Sequence, residues 1–96
     1  MDKRLYLINL YDYYSVLLTE KQCNYFEDYY FNNLSLKEIS DNEQISRNAV
    51  FKQLKNIENK LTNYEEKLNL YCRDQKLRKI IEKITDQQIR KELEEL

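Results

Sequence analysis

Apolar positions recur at three- and four-residue spacing through most of this chain, the mark of amphipathic helices. Leu5, Ile8, Tyr11 or Asp12, Ser15 and Leu18 trace one stripe, and Leu7, Leu10, Tyr14 and Leu17 widen it. The spacing predicts a first helix over 3 to 18, more apolar than one buried face requires. Thr19 and Gln22 form a capping box that opens a second helix, about 20 to 32, with Cys23, Phe26, Tyr29 and Tyr30 at helical spacing. Asn32 and Asn33 supply a bend, because Asn tolerates the left-handed conformation. Ser35 and Glu38 make another capping box, predicting a short third helix over 36 to 42. The chain then turns, Ile45 plugs the turn, and Ser46 caps a fourth helix. A short helix, a tight turn and a capped second helix make a helix-turn-helix, here about 35 to 61.

From Val50 the apolar positions run Leu54, Ile57, Leu61, Tyr64, Leu68 and Tyr71, alternating four and three. A cap at Thr62 with Glu65 is conceivable, but a loop there has no reason to preserve the heptad phase. The pattern therefore predicts one helix from 46 to about 72, roughly 40 Å long at 1.5 Å per residue. Its second half, Leu61, Tyr64, Leu68 and Tyr71, is a seam that a small bundle does not cover. Two further stripes follow: Leu77, Ile80, Ile81 and Ile84, then Ile89, Leu93 and Leu96, with Thr85 and Gln88 as a cap between them. These predict a fifth and a sixth helix that cover the seam within the chain, with a second copy completing the cover as a homodimer. The expected fold is all-α: one domain over 1 to 96, a helix-turn-helix bundle with a C-terminal extension, about 62 to 96, packed on the long fourth helix.

Composition narrows the chemistry. The 96 residues include no Gly, no Pro and no His, which removes glycine phosphate cradles, most tight hairpins and every His-based nucleophile or zinc site. Cys23 and Cys72 read as separate reduced thiols. The adjacent carboxylates Glu65-Glu66 and Glu94-Glu95 diverge by about 100° on a helix and read as solvated faces, not acid/base couples. No catalysis, metal, cofactor or small-molecule substrate is expected. No apolar run reaches the ~20 residues a bilayer span needs, and no apolar segment follows the basic start, so a cytoplasmic protein without membrane insertion is expected.

The segment Ser35-Leu36-Lys37-Glu38-Ile39-Ser40, followed by Ile45-Ser46-Arg47-Asn48-Ala49-Val50, resembles the helix-turn-helix of bacterial sigma-factor region 4. With Leu17-Leu18-Thr19-Glu20-Lys21-Gln22 ahead of it and Asn63-Tyr64-Glu65-Glu66-Lys67-Leu68 behind, residues 5 to 72 look more closely like the YlxM family. That resemblance implies a small bacterial helix-turn-helix protein that binds double-stranded DNA, encoded beside signal recognition particle genes and acting on that pathway, with a particle component as a further partner. The chain departs from the pattern where Ser40 replaces a usual Ala, Glu43 a usual apolar residue and Gln44 a usual turn Gly. Ser40 and Gln44 predict a slightly looser elbow.

In the DNA reading, Ala49, Val50 and Leu54 pack inward and Arg47, Asn48, Phe51, Lys52 and Lys55 face outward. Arg and Asn read guanine and adenine edges; the lysines suit phosphates. Ser46 and the amides of the first turn offer another phosphate site. Charge is modest: residues 1 to 45 carry four positive and eight negative side chains, 46 to 71 five and three, and 72 to 96 seven and six, for a total of −1. About three phosphate contacts per monomer give a salt slope near −3, so specific binding depends on dimerisation. The alternative is a protein-interaction module whose feature is nine Tyr and three Phe, with Phe51 as an exposed anchor.

Overall fold

The computed structural model describes residues 2–96. Among them the chain forms six α-helices joined by short links. Helix α1, Lys3–Tyr14, is capped by Asp2, whose carboxylate accepts the Leu5 amide at 2.8 Å. It ends short of the predicted residue 18, and Ser15–Leu17 form a single 3-10 turn. Leu18 must be extended to deliver Thr19 as the next cap, so the helix cannot continue. The buried stripe is Leu7, Leu10, Tyr11 and Tyr14; Leu5 and Leu17 are exposed, and Val16 is 86% exposed.

Helix α2, Glu20–Tyr30, begins with the Thr19–Gln22 capping box. The bend after it falls on Asn33, at φ 56°. Helix α3, Leu36–Glu43, carries the Ser35–Glu38 box, and α4 is Arg47–Leu68. Helices α1, α2 and α3 pack around α4. Leu7, Leu10, Tyr14, Phe26, Ile39, Val50, Ile57 and Leu61 are the fully buried centre, with the Phe26 ring stacked 4.3 Å from those of both Tyr11 and Tyr30.

The long helix runs unbroken through Thr62, whose hydroxyl donates back to the carbonyls of Glu58 and Asn59. It does not reach 72. Asn69 stands at φ 58°, left-handed, and a new helix, α5 (Leu70–Ile81), starts immediately. The cause is Glu65, which is buried, not solvated as the sequence reading had it. Its carboxylate accepts the Tyr71 amide at 3.0 Å and the Cys72 amide at 2.9 Å, capping α5 from one turn upstream. The Tyr14 hydroxyl donates to the same carboxylate at 2.5 Å and accepts the Leu70 amide at 3.0 Å. A carboxylate that caps a helix N-terminus meets both the orphan amides and the positive end of the dipole.

The predicted seam is largely occupied within the chain. Leu61 is buried, and the Tyr64 hydroxyl donates to the Leu17 carbonyl at 3.4 Å. Tyr71 meets the rings of Tyr6 and Tyr13 edge-on at 5.7 and 6.0 Å. Leu68 is the exception, 51% exposed beside the break. Helix α5 lies on α1 as well as on α4, and α6, Gln87–Glu94, rests on α5. The cap of α6 is Asp86, accepting the Gln88 and Ile89 amides, in place of the predicted Thr85–Gln88 box. Ile80, Ile89 and Leu96 are exposed along this arm. The molecule measures 55 × 25 × 24 Å with a radius of gyration of 17.1 Å. A compact chain of this length has about 13 Å.

Candidate nucleic-acid interface

The elbow between α3 and α4 is built from three short-range devices. In the Ser35–Glu38 box the Glu38 amide donates to Ser35 Oγ at 3.1 Å and the Ser35 amide to Glu38 Oε1 at 3.0 Å, which holds the Glu38 carboxyl below the usual glutamate range. Gln44 closes α3 in the left-handed region at φ 57°, and the Gln44 and Ile45 amides both donate to the Ser40 carbonyl. Left-handed backbone costs a residue with a Cβ roughly 1 kcal/mol or more relative to glycine. Ser40 is buried, yet its hydroxyl donates to the Lys37 carbonyl at 2.7 Å, so a polar side chain sits at the close approach of the two helices without an unmet hydrogen bond.

Ser46 caps α4, its Oγ accepting the Ala49 amide at 3.1 Å. Arg47 and Asn48, first and second in the helix, have amides with no intrahelical acceptor. Val50, Leu54, Ile57 and Leu61 point into the core and fix the rotation of the helix. Asn48, Lys52 and Lys55 consequently face away from the core and Phe51 lies on the flank, while Arg47, in register with Val50, is exposed because it begins the helix. Lys55 is the most constrained: its Nζ lies 3.6 Å from Glu58 Oε1 and 5.5 Å from the centre of the Phe51 ring. It is a shared cation, partly neutralised by Glu58.

Sequence reasoning missed the residues beside this face. Lys3 and Arg4, at the start of α1, come next to Phe51 and Lys55 around a common cavity. Arg4 Nη2 donates to the carbonyls of Tyr29 and Tyr30 and to Asn33 Oδ1 at 3.3, 3.0 and 3.1 Å, closing the C-terminal end of α2. Glu58 joins the two regions, accepting from Tyr30 at 2.8 Å and facing Lys3 at 3.9 Å. Burial, followed by this carboxylate, pushes the Tyr30 phenol well above its ordinary value. The available signal was the basic pair near the chain start, but nothing local ties it to residues 51 to 58.

No group of three or more Cys, Asp or Glu among the described residues is arranged to hold a metal ion. No helix among them is long and apolar enough to cross a membrane. Cys23 and Cys72 are separate, half-buried thiols.

Comparison with known proteins agrees with this architecture. Residues 1–96 match the model of the family UPF0122, described as "Putative helix-turn-helix protein, YlxM / p13 like". A UPF0122 protein of Oceanobacillus iheyensis is 41% identical over 100 residues, covering 100% of this chain and 95% of its own length. One from Caldanaerobacter subterraneus is 48% identical over 85 residues, 88% of this chain and 73% of the relative. One from Ureaplasma parvum is 39% identical over 95 residues, 99% and 96% respectively. With the whole chain matched and its helices in helix-turn-helix order, this protein belongs to the UPF0122 family of YlxM/p13-like helix-turn-helix proteins.

Proposed function

We propose that the protein is a DNA-binding regulator that docks α4 in the major groove. The observation that carries this reading is the outward face of α4. Arg47, Asn48, Phe51, Lys52 and Lys55 stand exposed on a helix held behind a left-handed elbow, with Ser46 at its N-terminus. Arg47 and Asn48 supply base-edge donors, Lys52 and Lys55 phosphate contacts, and the first-turn amides a further phosphate contact. Phe51 meets a thymine methyl. The protein acts as a homodimer, because few phosphate contacts per monomer give weak binding and the exposed Ile80, Ile89 and Leu96 of the C-terminal arm offer apolar surface for a second copy.

The test is binding of three variants to a duplex selected from a random pool. Arg47→Ala is expected to lose about 1 to 3 kcal/mol at the selected site. Lys55→Ala weakens all sequences alike and lowers the salt slope by about one per monomer, and Phe51→Ala costs less than Arg47→Ala. If no duplex is retained at low salt while Phe51→Ala weakens capture of a signal recognition particle component, the protein-interaction reading replaces this one.

A further inference from the structure

Beside the outer face of α4 lies an open hollow of about 390 Å³, bordered by the start of α1, the end of α2, the start of α3 and the middle of α4. Its apolar lining is Leu7, Leu36 and Leu54 with the rings of Tyr29, Tyr30 and Phe51. Its charged lining is Lys3, Arg4 and Lys55 against one carboxylate, Glu58. That carboxylate is already committed to the Tyr30 hydroxyl at 2.8 Å, to Lys55 at 3.6 Å and to Lys3 at 3.9 Å, so three cations and one anion leave an excess of two positive charges around an apolar hollow. The Lys3 side chain is 73% exposed and that of Lys55 46%, so either ammonium can swing onto a new anion without unburying itself. The volume falls at the lower end of the range, about 300 to 1,000 Å³, that small-molecule sites occupy.

We propose that this cavity is a binding site for a small organic anion with a flat apolar body, of the aryl carboxylate, aryl sulfonate or aryl phosphate class. The rings and leucines take the apolar body; Lys3 and Lys55 take the acid group at the rim; Arg4 stays on the end of α2 and adds its charge to the field. An uncharged body of the same shape forgoes the two ammonium contacts, and a cation meets net repulsion. Phe51 and Lys55 belong both to this lining and to the outer face of α4, so an occupied cavity draws Lys55 away from phosphate. This last consequence, competition between anion and duplex, rests on the DNA reading above.

The experiment is a fluorescence titration of the full chain, without DNA, using anilinonaphthalene sulfonate as the anionic probe and phenylnaphthylamine as its uncharged counterpart. The sulfonate is expected to saturate at one site per chain and to lose affinity about tenfold in the Lys3→Gln, Lys55→Gln double variant, while Lys91→Gln leaves it unchanged. The uncharged probe is expected to bind more weakly and to be indifferent to both lysine changes; Phe51→Ala weakens both probes. Circular dichroism checks that each variant keeps its helix content. Any of three results overturns the site: no saturable binding, equal binding of the two probes, or binding that ignores Lys3, Lys55 and Phe51 but is lost in Ile89→Ser, which would put the probe on the arm. Bound sulfonate that fails to displace a selected duplex overturns the competition alone, and a protein that binds sulfonate but no duplex overturns the DNA reading alone.

Discussion

Tyrosine in this chain is mainly a hydrogen-bond donor, from the centre of the core at Tyr14 and from its edge elsewhere. Tyr11 donates to Glu27 at 2.6 Å, Tyr14 to Glu65 at 2.5 Å, Tyr30 to Glu58 at 2.8 Å, and Tyr13 to Asp74. None of the nine tyrosines is exposed, so the surface of outward phenols that the composition invited is not there. Burial raises all four phenols, Tyr13 to about 12; the neighbouring carboxylate comes next for Tyr13, Tyr14 and Tyr30, and the Cys23 thiol ahead of Glu27 for Tyr11. A raised phenol favours the neutral form in the fold, so its contribution is complete below the ordinary value of about 10 and is lost as pH rises through the folded value. Tyrosinate absorbance and helix content are therefore expected to change together above about pH 10, in one cooperative step. Smooth ionisation of these phenols with helix content retained would contradict it. At Gln44, φ 57° predicts that Gln44→Gly stabilises the elbow by about 0.5 to 1 kcal/mol, raising Tm by several degrees in thermal unfolding. A lower Tm would mean that the Gln44 side chain makes a contact worth more than the strain.

At the scale of elements, the capping signals were the most legible part of the sequence. Thr19–Gln22, Ser35–Glu38 and Ser46 all sit where local chemistry puts them, because a cap is decided within four residues. The end of α4 was not legible. The three-and-four spacing passes Asn69 without a visible slip, Tyr71 following Leu68 in phase, while the actual break is set by Glu65 reaching forward to α5 and by Tyr14 arriving from α1. A contact between residues 14 and 65 leaves no mark in a local pattern. The same holds for the cavity: its lining converges from four helices, and the sequence marked only Phe51 and Lys55 of it as site residues, the others as helix or core positions if at all. Glu65→Ala is expected to remove the acceptor of the Cys72 amide and of the Tyr14 hydroxyl proton, at a cost of about 2 to 4 kcal/mol in denaturant unfolding. A loss below about 0.5 kcal/mol would show that water replaces the carboxylate and that the joint does not depend on it.

For the whole molecule, 55 Å in its longest dimension, α1, α2 and α3 pack around α4, α5 lies on α1 and α4, and α6 rests on α5. The predicted reason for dimerisation, an uncovered seam on α4, is largely removed by Tyr6, Tyr13 and Leu17. Exposed apolar side chains are spread over the molecule, Val16 and Phe31 among them, and the proposed dimer contact uses Ile80, Ile89 and Leu96 of the C-terminal arm, so sedimentation equilibrium is expected to give a dimer of the 11.9 kDa chain at tens of micromolar, roughly, and Ile89→Ser to shift it toward monomer. An unchanged dimer in that variant would place the contact elsewhere.

DNA docking through α4 is tested most directly by amide chemical-shift mapping of the labelled full chain during titration with a selected duplex at low salt. The account predicts that the largest changes run from Ser46 to Lys55, with smaller ones at Lys3 and Arg4 and none in α6. Changes confined to α5 and α6, or none at saturating duplex, would contradict it.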